Sequence, residues 1–305
     1  MRLGYCCISM GINEKRKKSE HISVNRGMIK RTFESRGLLY VSELVKQNLN
    51  DTLKIIDWNV RNNIFVYRLS SDSFPWMTHY RFEDLPDFAI IKTLLQRIGN
   101  QAKLNDMRLS LHPGPYCVLS SENDDVVTKT IDELDKHAQI LDLMGLEQST
   151  LYPVNIHVGS TKPSREEAAE RFCINFDRLQ DSTKKRLTIE NDDMPSQYSV
   201  KHLYELIHKK IGIPIVIDTL HHACFDDGMS WKESLELAIS TWQTKPVCHH
   251  SSSKKLHEDN KSKIEAHSDW LYESFENLGY DVDVELECKQ KDLALLKYRK
   301  DFQKG

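Results

Sequence analysis

Short apolar runs recur along the chain, separated by longer stretches in which apolar residues fall three and four apart. The runs are RLGYCCI from Arg2, IFVYRLS from Ile64, MRLSLHP from Met107, YPVNIHVG from Tyr152, KRLTIEN from Lys185, IPIVIDT from Ile213, KPVCHHS from Lys245 and DVDVELE from Asp281. Each has the length and composition of a strand. Between them VSELVKQNLNDTLKIIDWNV, FAIIKTLLQRI, VVTKTIDELDKHAQILDLM, REEAAERFCINFDRLQ, SVKHLYELIHKK, SWKESLELAIS, IEAHSDWLYESFENL and KQKDLALLKYRK predict helices. This alternation predicts an α/β fold, a closed (β/α)₈ TIM barrel spanning residues 1–305 as one domain, with an open doubly wound sheet as the alternative. Polar excursions are expected after strands 1 and 7, over residues 11–37 and in SSSKKLHEDNKSK from Ser251.

Charge changes the picture little at first. Lys and Arg number 42 against 45 Asp and Glu, a net of −3, which excludes binding of a polyanion by bulk positive charge. A local basic face remains open, with Lys15, Arg16, Lys17 and Lys18 in the first excursion and Lys254 and Lys255 in the second. The seven cysteines are scattered and form no CxxC pair, so neither a disulfide framework nor a cysteine zinc knuckle is expected. The amino terminus is too briefly apolar for a signal peptide, and no window approaches the roughly 18 apolar residues of a membrane span. A cytoplasmic, soluble protein is the expectation.

Candidate chemistry gathers where strands end, the place a barrel of this type keeps its active site. His112 closes MRLSLH, His157 lies late in NIHVG, Glu190 ends LTIE, Asp218 and His221 occupy IDTLHH, His249 follows PVC and Glu287 ends VELE. His267 and Asp269 are added from HSD, expected at the start of the last long helix. Glu190, Asp218 and Glu287 each follow an apolar strand, where an uncompensated charge would be costly. Imidazole with carboxylate suits zinc, manganese or iron, and a bridging carboxylate suits a polynuclear site that acts on a phosphodiester. There is no GxGxxG for a dinucleotide, no HExxH and no GxSxG elbow.

The motifs RLGY, YRLSSDSFPWMTH, LSLHPGPY, NIHVG, LTIEND, VIDTLHH, CHHSS, HSDW and VELECKQK occur in an order that resembles the UV damage endonuclease family, whose barrel and metal centre are similar to those of the endonuclease IV family of abasic-site nucleases. The resemblance implies a metal-dependent DNA repair endonuclease. It would incise damaged double-stranded DNA immediately 5′ to UV photoproducts and related distortions with metal-activated water, leaving 3′-hydroxyl and 5′-phosphate ends. His112 and His157 would serve one divalent ion, Glu190 would bridge, Asp218, His249 and Glu287 would complete a second site, and His221 and His267 a third. Mn2+ is the implied metal, at two or three ions per chain, with Zn2+ the other candidate. Tyr116 matches the family's probing aromatic residue, and Tyr5 and Ser9 would lie near the lesion. A monomer associated with DNA is expected.

Departures from the family pattern are Pro115 where glutamine commonly precedes the probing tyrosine, Ser9 in place of an asparagine, and Val247 where the family has a lysine that can be modified to a carbamate; Lys245 is two residues out of phase. An abasic-site endonuclease with the same metals, a metal-dependent sugar isomerase, and a distortion-binding module without cleavage are the competing readings.

Overall fold

All eight runs form strands in the structure, a computed structural model that describes residues 1–303. They are β1 (Arg2–Cys6), β2 (Val66–Arg68), β3 (Arg108–Ser110), β4 (Val154–His157), β5 (Leu187–Glu190), β6 (Ile215–Asp218), β7 (Val247–His250) and β8 (Asp283–Leu286). Every pairing is parallel, in the order β3-β2-β1-β8-β7-β6-β5-β4. The ends of this order meet through a single parallel bridge between Leu111 and Val154. There Leu111 N–H donates to Pro153 O at 3.0 Å and Asn155 N–H donates to Leu111 O at 2.9 Å. The result is an eight-stranded, nearly closed parallel barrel with helices between its strands, which excludes the open doubly wound sheet.

The strands alternate because their two faces meet different surroundings. Leu3, Tyr5, Tyr67, Leu109, Ile156 and Ile189 belong to the buried apolar layer shared with the surrounding helices. The opposite face carries Arg68, Arg108, Ser110, Thr188, His249, Asp283 and Glu285, all buried. Barrel interiors are usually filled by branched apolar side chains; here they are filled by paired charges. At the lower end Arg108 Nη1 donates to Asp283 Oδ2 at 3.0 Å, with both side chains at zero exposure. Such pairs add little net stability, but removing one partner leaves a buried charge uncompensated. Gly4 is required on β1, because a Cβ there would stand 2.4 Å from Val66 O.

The helices are α1 (Lys30–Arg61), α2 (Phe88–Leu104), α3 (Asp124–Leu143), α4 (Arg165–Phe176), α5 (Asp181–Arg186), α6 (Val200–Leu203), which runs through a π turn at Tyr204–His208 into α7 (Lys209–Ile211), then α8 (Thr219–Cys224), α9 (Trp231–Ser240), α10 (Lys254–His257) and α11 (Lys291–Phe302). Residues 11–37 are not one loop. They hold two 3-10 turns, at Gly11–Asn13 and Lys18–Glu20, and the start of α1, which is broken at Gly37 with φ of 60°.

One predicted helix is absent. IEAHSDWLYESFENL, from Ile264, has no helical turn, and the seventh unit keeps only the four-residue α10. Its backbone is satisfied by tertiary partners instead of its own carbonyls. Lys254 N–H donates to Ala266 O at 2.7 Å, Ser268 N–H to Ser252 O at 2.9 Å, Asp269 N–H to the Glu258 carboxylate at 2.8 Å and Phe275 N–H to Tyr298 Oη at 2.7 Å. Leu271 and Phe275 are buried four residues apart, so an extended strap reproduces the apolar spacing of a helix.

Candidate metal centre

The carboxyl ends of the strands surround a cavity of about 670 Å³. Arg68, His112, His157, Glu190, Asp192, His221, His267 and Glu287 line it, with Pro113, Gly114 and Pro115 on one side. Glu190 stands at its centre, almost fully buried. Its Oε2 accepts from Asn155 Nδ2 at 2.6 Å and lies 3.1 Å from His112 Nε2; its Oε1 lies 3.0 Å from His249 Nδ1. Burial would raise the Glu190 pKa, but the facing His249 and His157 outweigh it and hold the carboxyl well below its ordinary range.

Three ligand groups overlap here, each with its donor atoms within 4.8 Å of one another: His112, His157 and Glu190; Glu190, Asp218 and His221; and Asp218, His249 and Glu287. Glu190 and Asp218 each belong to two groups, which is how carboxylates bridge neighbouring ions. His267 belongs to none, although its ring centre is 6.1 Å from that of His221 and it lines the cavity. His221 is thus drawn towards Glu190 and Asp218 rather than towards His267 alone.

The histidines are oriented by what their other nitrogen does. A carbonyl oxygen can only accept, so Nδ1–H donates from His112 to Pro113 O at 3.0 Å, from His221 to Asn191 O at 2.9 Å and from His267 to Glu287 O at 2.6 Å. That turns the Nε2 lone pair of each away from the main chain and available to a cation; in His112 it faces Glu190 Oε2 at 3.1 Å. His157 Nδ1 lies 3.0 Å from Asp192 Oδ1. Burial would lower the pKa of His157, but Glu190 and Asp192 together push it up to about 9.

The set fits divalent cations. Asp218 Oδ2, His249 Nδ1 and Glu287 Oε1 are buried, none has an aligned hydrogen-bond partner, and all three belong to residues of the third group. Buried polar atoms are ordinarily satisfied. Carboxylate oxygens and an imidazole nitrogen that converge without aligned hydrogen bonds suit a cation, although Glu287 Oε1 is 2.5 Å from Arg68 Nη1 and His249 Nδ1 is 3.0 Å from Glu190 Oε1.

Other residues singled out from the sequence fall elsewhere. Tyr5 is fully buried on the helix side of β1, its hydroxyl donating to Asn59 Oδ1 at 2.7 Å, and cannot line a lesion pocket. Ser9 is buried and donates to Asp292 Oδ2 at 2.7 Å, so it too is turned away from the cavity. Both sit on or just beyond a strand whose outward face meets α1 and α11. Asp269 is 3.0 Å from Lys254, and Lys245 lies against Asp281 at 2.8 Å and Asp283 at 3.1 Å, at the end of the barrel opposite the cavity. His250, which follows His249 on β7 and was not among the candidates, bonds Thr219 Oγ1 and Glu273 O with its two nitrogens. Tyr116 is 88% exposed beside the cavity, and Lys15, Arg16, Lys17, Lys18 and Lys255 are exposed. Arg68, Asn155, Asp192 and Glu285 were missed. Arg68 and Glu285 are charges within apolar strands, the same signal that singled out Glu190.

Residues 1–304 match the family model of UV-endonuclease UvdE. The chain belongs to this family. Among UvdE relatives it is 31% identical to the UV DNA damage endonuclease of Clostridium perfringens over 97% of the chain and 69% of that protein. It is 32% identical to the UV-damage endonuclease of Schizosaccharomyces pombe over 96% of the chain and 49% of that protein, about half of its length. The crystal structure of SacUVDE superposes with a TM-score of 0.85 at 31% identity, covering all of both chains. An L-ribulose 3-epimerase and the AsfvAP:AG structure, each 13% identical with a TM-score of 0.53, share the fold alone. UvdE membership makes the chain a DNA endonuclease, an enzyme that hydrolyses phosphodiester bonds. No helix of the described residues is long and apolar enough to cross a membrane.

Proposed function

We propose that the protein incises damaged double-stranded DNA immediately 5′ to UV photoproducts and related distortions, leaving 3′-hydroxyl and 5′-phosphate ends, as a monomer using two or three Mn2+ ions. The overlap of three ligand groups on Glu190 and Asp218, within a chain of the UvdE family, carries this reading.

Divalent ions, when bound, lower the pKa of water and neutralise the charge that develops on the phosphoryl oxygens. The chain's part is to hold them. His112 and His157 serve one ion with Glu190, whose oxygens face His112 on one side and His249 on the other. Asp218, His249 and Glu287 serve a second. His221, with Glu190 and Asp218 and with His267 nearby, serves a third. Asp192 and the main-chain oxygens of Pro113, Asn191 and Glu287 keep the imidazoles turned towards the cavity.

Recognition rests on shape, because a lesion has no fixed sequence. Tyr116 is the residue we assign to probing the helix, a role its exposure supports, and Pro115 supplies a rigid apolar contact beside it. The polar excursions after strands 1 and 7 supply phosphate contacts through Lys15, Arg16, Lys17, Lys18 and Lys255. Lys254 contributes less, since Asp269 and Glu258 already neutralise it.

The test uses the Mn2+-loaded chain with matched duplexes carrying a photoproduct, an abasic site or no lesion, the cut being mapped at nucleotide resolution. A cut directly 5′ to the photoproduct supports the reading. Intact photoproduct duplex overturns it, and cleavage of the abasic duplex alone points to the abasic-site reading instead.

A further inference from the structure

One lip of the cavity is built after β5, where residues 192–198 form a closed loop. Asp192 N–H donates to Tyr198 O at 2.8 Å and Tyr198 N–H to Asp192 Oδ2 at 3.2 Å, which ties the two ends. Inside it Gln197 N–H donates to Met194 O at 2.9 Å, closing a four-residue turn with Pro195 second, where its fixed φ favours the turn. The loop is also fastened from outside. Arg165 Nη2 donates to Pro195 O at 2.6 Å, and the hydroxyl of the fully buried Tyr198 faces Ser160 O at 3.0 Å and Arg165 O at 3.1 Å. A turn of the same build follows β3, where Cys117 N–H donates to Gly114 O at 3.1 Å with Pro115 second and Tyr116 third. The two turns flank the loop after β4, whose Gly159 also lines the cavity.

Gln197 is half-buried and lines the cavity together with Asp192 and His157. Among the described residues that line it, Gln197 alone carries a carboxamide, and this carboxamide makes no hydrogen bond to any described residue. Its backbone is held at several points, so little freedom is lost when the side chain takes a partner. Two properties suit that partner to a DNA phosphate. The amide nitrogen donates, as a phosphodiester oxygen requires. It carries no charge, so it is not drawn into an ion pair with Asp192 or Glu190, as a lysine in its place would be.

We propose that Gln197 contacts the substrate strand directly, Nε2–H donating to a non-bridging oxygen of a phosphate next to the scissile one. Asp192 holds the end of the loop through one oxygen and faces His157 Nδ1 at 3.0 Å through the other. The position of the phosphate contact and the orientation of a metal-ligating imidazole are thereby set from one carboxylate.

The contact rests on the function proposed above. Single-turnover incision of photoproduct duplex is measured across DNA concentration with Mn2+-loaded wild type, Gln197→Ala and Gln197→Glu. Gln197→Ala is expected to raise the half-saturating DNA concentration about 10- to 100-fold, the effect of losing a hydrogen bond to a charged group, with maximal rate, Mn2+ affinity and melting temperature retained. Gln197→Glu keeps the side-chain shape, sets an anion against the phosphate and is expected to lose more. Duplexes in which single phosphates beside the cut are replaced by neutral methylphosphonate then locate the partner. At one position wild type is expected to fall to the level of Gln197→Ala, and Gln197→Ala to lose little further. Unchanged half-saturation in the variants, or losses that multiply independently at every phosphate, overturns the contact while wild-type incision stands. Wild type that leaves the photoproduct duplex intact overturns the proposed function, and the contact falls with it.

Discussion

Asn155 on β4 reaches Glu190 on β5 diagonally, Nδ2 donating to Oε2 at 2.6 Å, since in register Asn155 pairs with Thr188 and Glu190 with His157. Thr188 donates to Asn155 Oδ1 at 2.8 Å and thereby determines which end of the amide meets the carboxylate. Glu190→Gln removes the charge shared by two ligand groups at nearly constant volume. Mn2+-dependent incision in single-turnover assays is expected to disappear while circular dichroism and melting stay close to wild type. Wild-type cleavage would contradict the bridging role.

Asn155→Ala leaves the ligands in place but frees Glu190 Oε2 to rotate, and about 10- to 100-fold loss of incision rate is expected. Asn155→Asp should be worse, because it sets a second anion against the first. Rates for the two variants in the reverse order would show that packing, not the donated hydrogen bond, is what matters.

Tyr116 touches little of its own fold. Tyr116→Ala should change unfolding free energy by less than about 0.5 kcal/mol. If the ring stacks on an unpaired base, its loss should weaken binding to photoproduct duplex by about 1–3 kcal/mol. Binding of undamaged duplex should be nearly unaffected. Equal losses on both duplexes would assign Tyr116 to backbone contact instead.

Substituting Lys15, Arg16, Lys17 and Lys18 together by Ser tests the first excursion. Each lost phosphate contact lowers the slope of log affinity against log salt by about 0.9. Damaged and undamaged duplex should weaken alike, with a slope reduced by about 2 to 4. An unchanged slope would show that this segment is merely solvated.

His137, on α3, is fully buried and neutral, its Nδ1–H donating to Glu133 O at 2.8 Å. Burial pulls its pKa from 6.5 down to about 4. The unfolded chain binds this proton first, so the stability is intact above pH 6.5 and is lost as pH falls towards 4. The full drop corresponds to about 3 kcal/mol. Urea unfolding of wild type and His137→Gln across that range should show the variant with the shallower acid slope, and parallel slopes would place the acid sensitivity elsewhere.

Much of the barrel was legible because a strand between helices and a polar interior alternates cleanly, and because Glu190, Asp218 and Glu287 end apolar runs. The failures have physical causes. Residues 264–278 carry helical spacing but satisfy their backbone against Ser252, Lys254 and Glu258, partners in the preceding segment rather than one turn away. Tyr5 was misplaced because a strand does not announce which of its faces looks outward. Arg68 and Glu285 carried the same signal as Glu190, a charge in an apolar run, but their contact with each other and with His249 joins three strands and is written in no single run.

The seam between β3 and β4 gives the metal centre a second significance. His112 follows β3, His157 ends β4 and Glu190 ends β5, so the first ligand group straddles the one junction of the barrel joined by a single bridge. An ion held there would act as a clasp across the weakest wall. In the stripped protein, amide hydrogen exchange is expected to be fastest along this line.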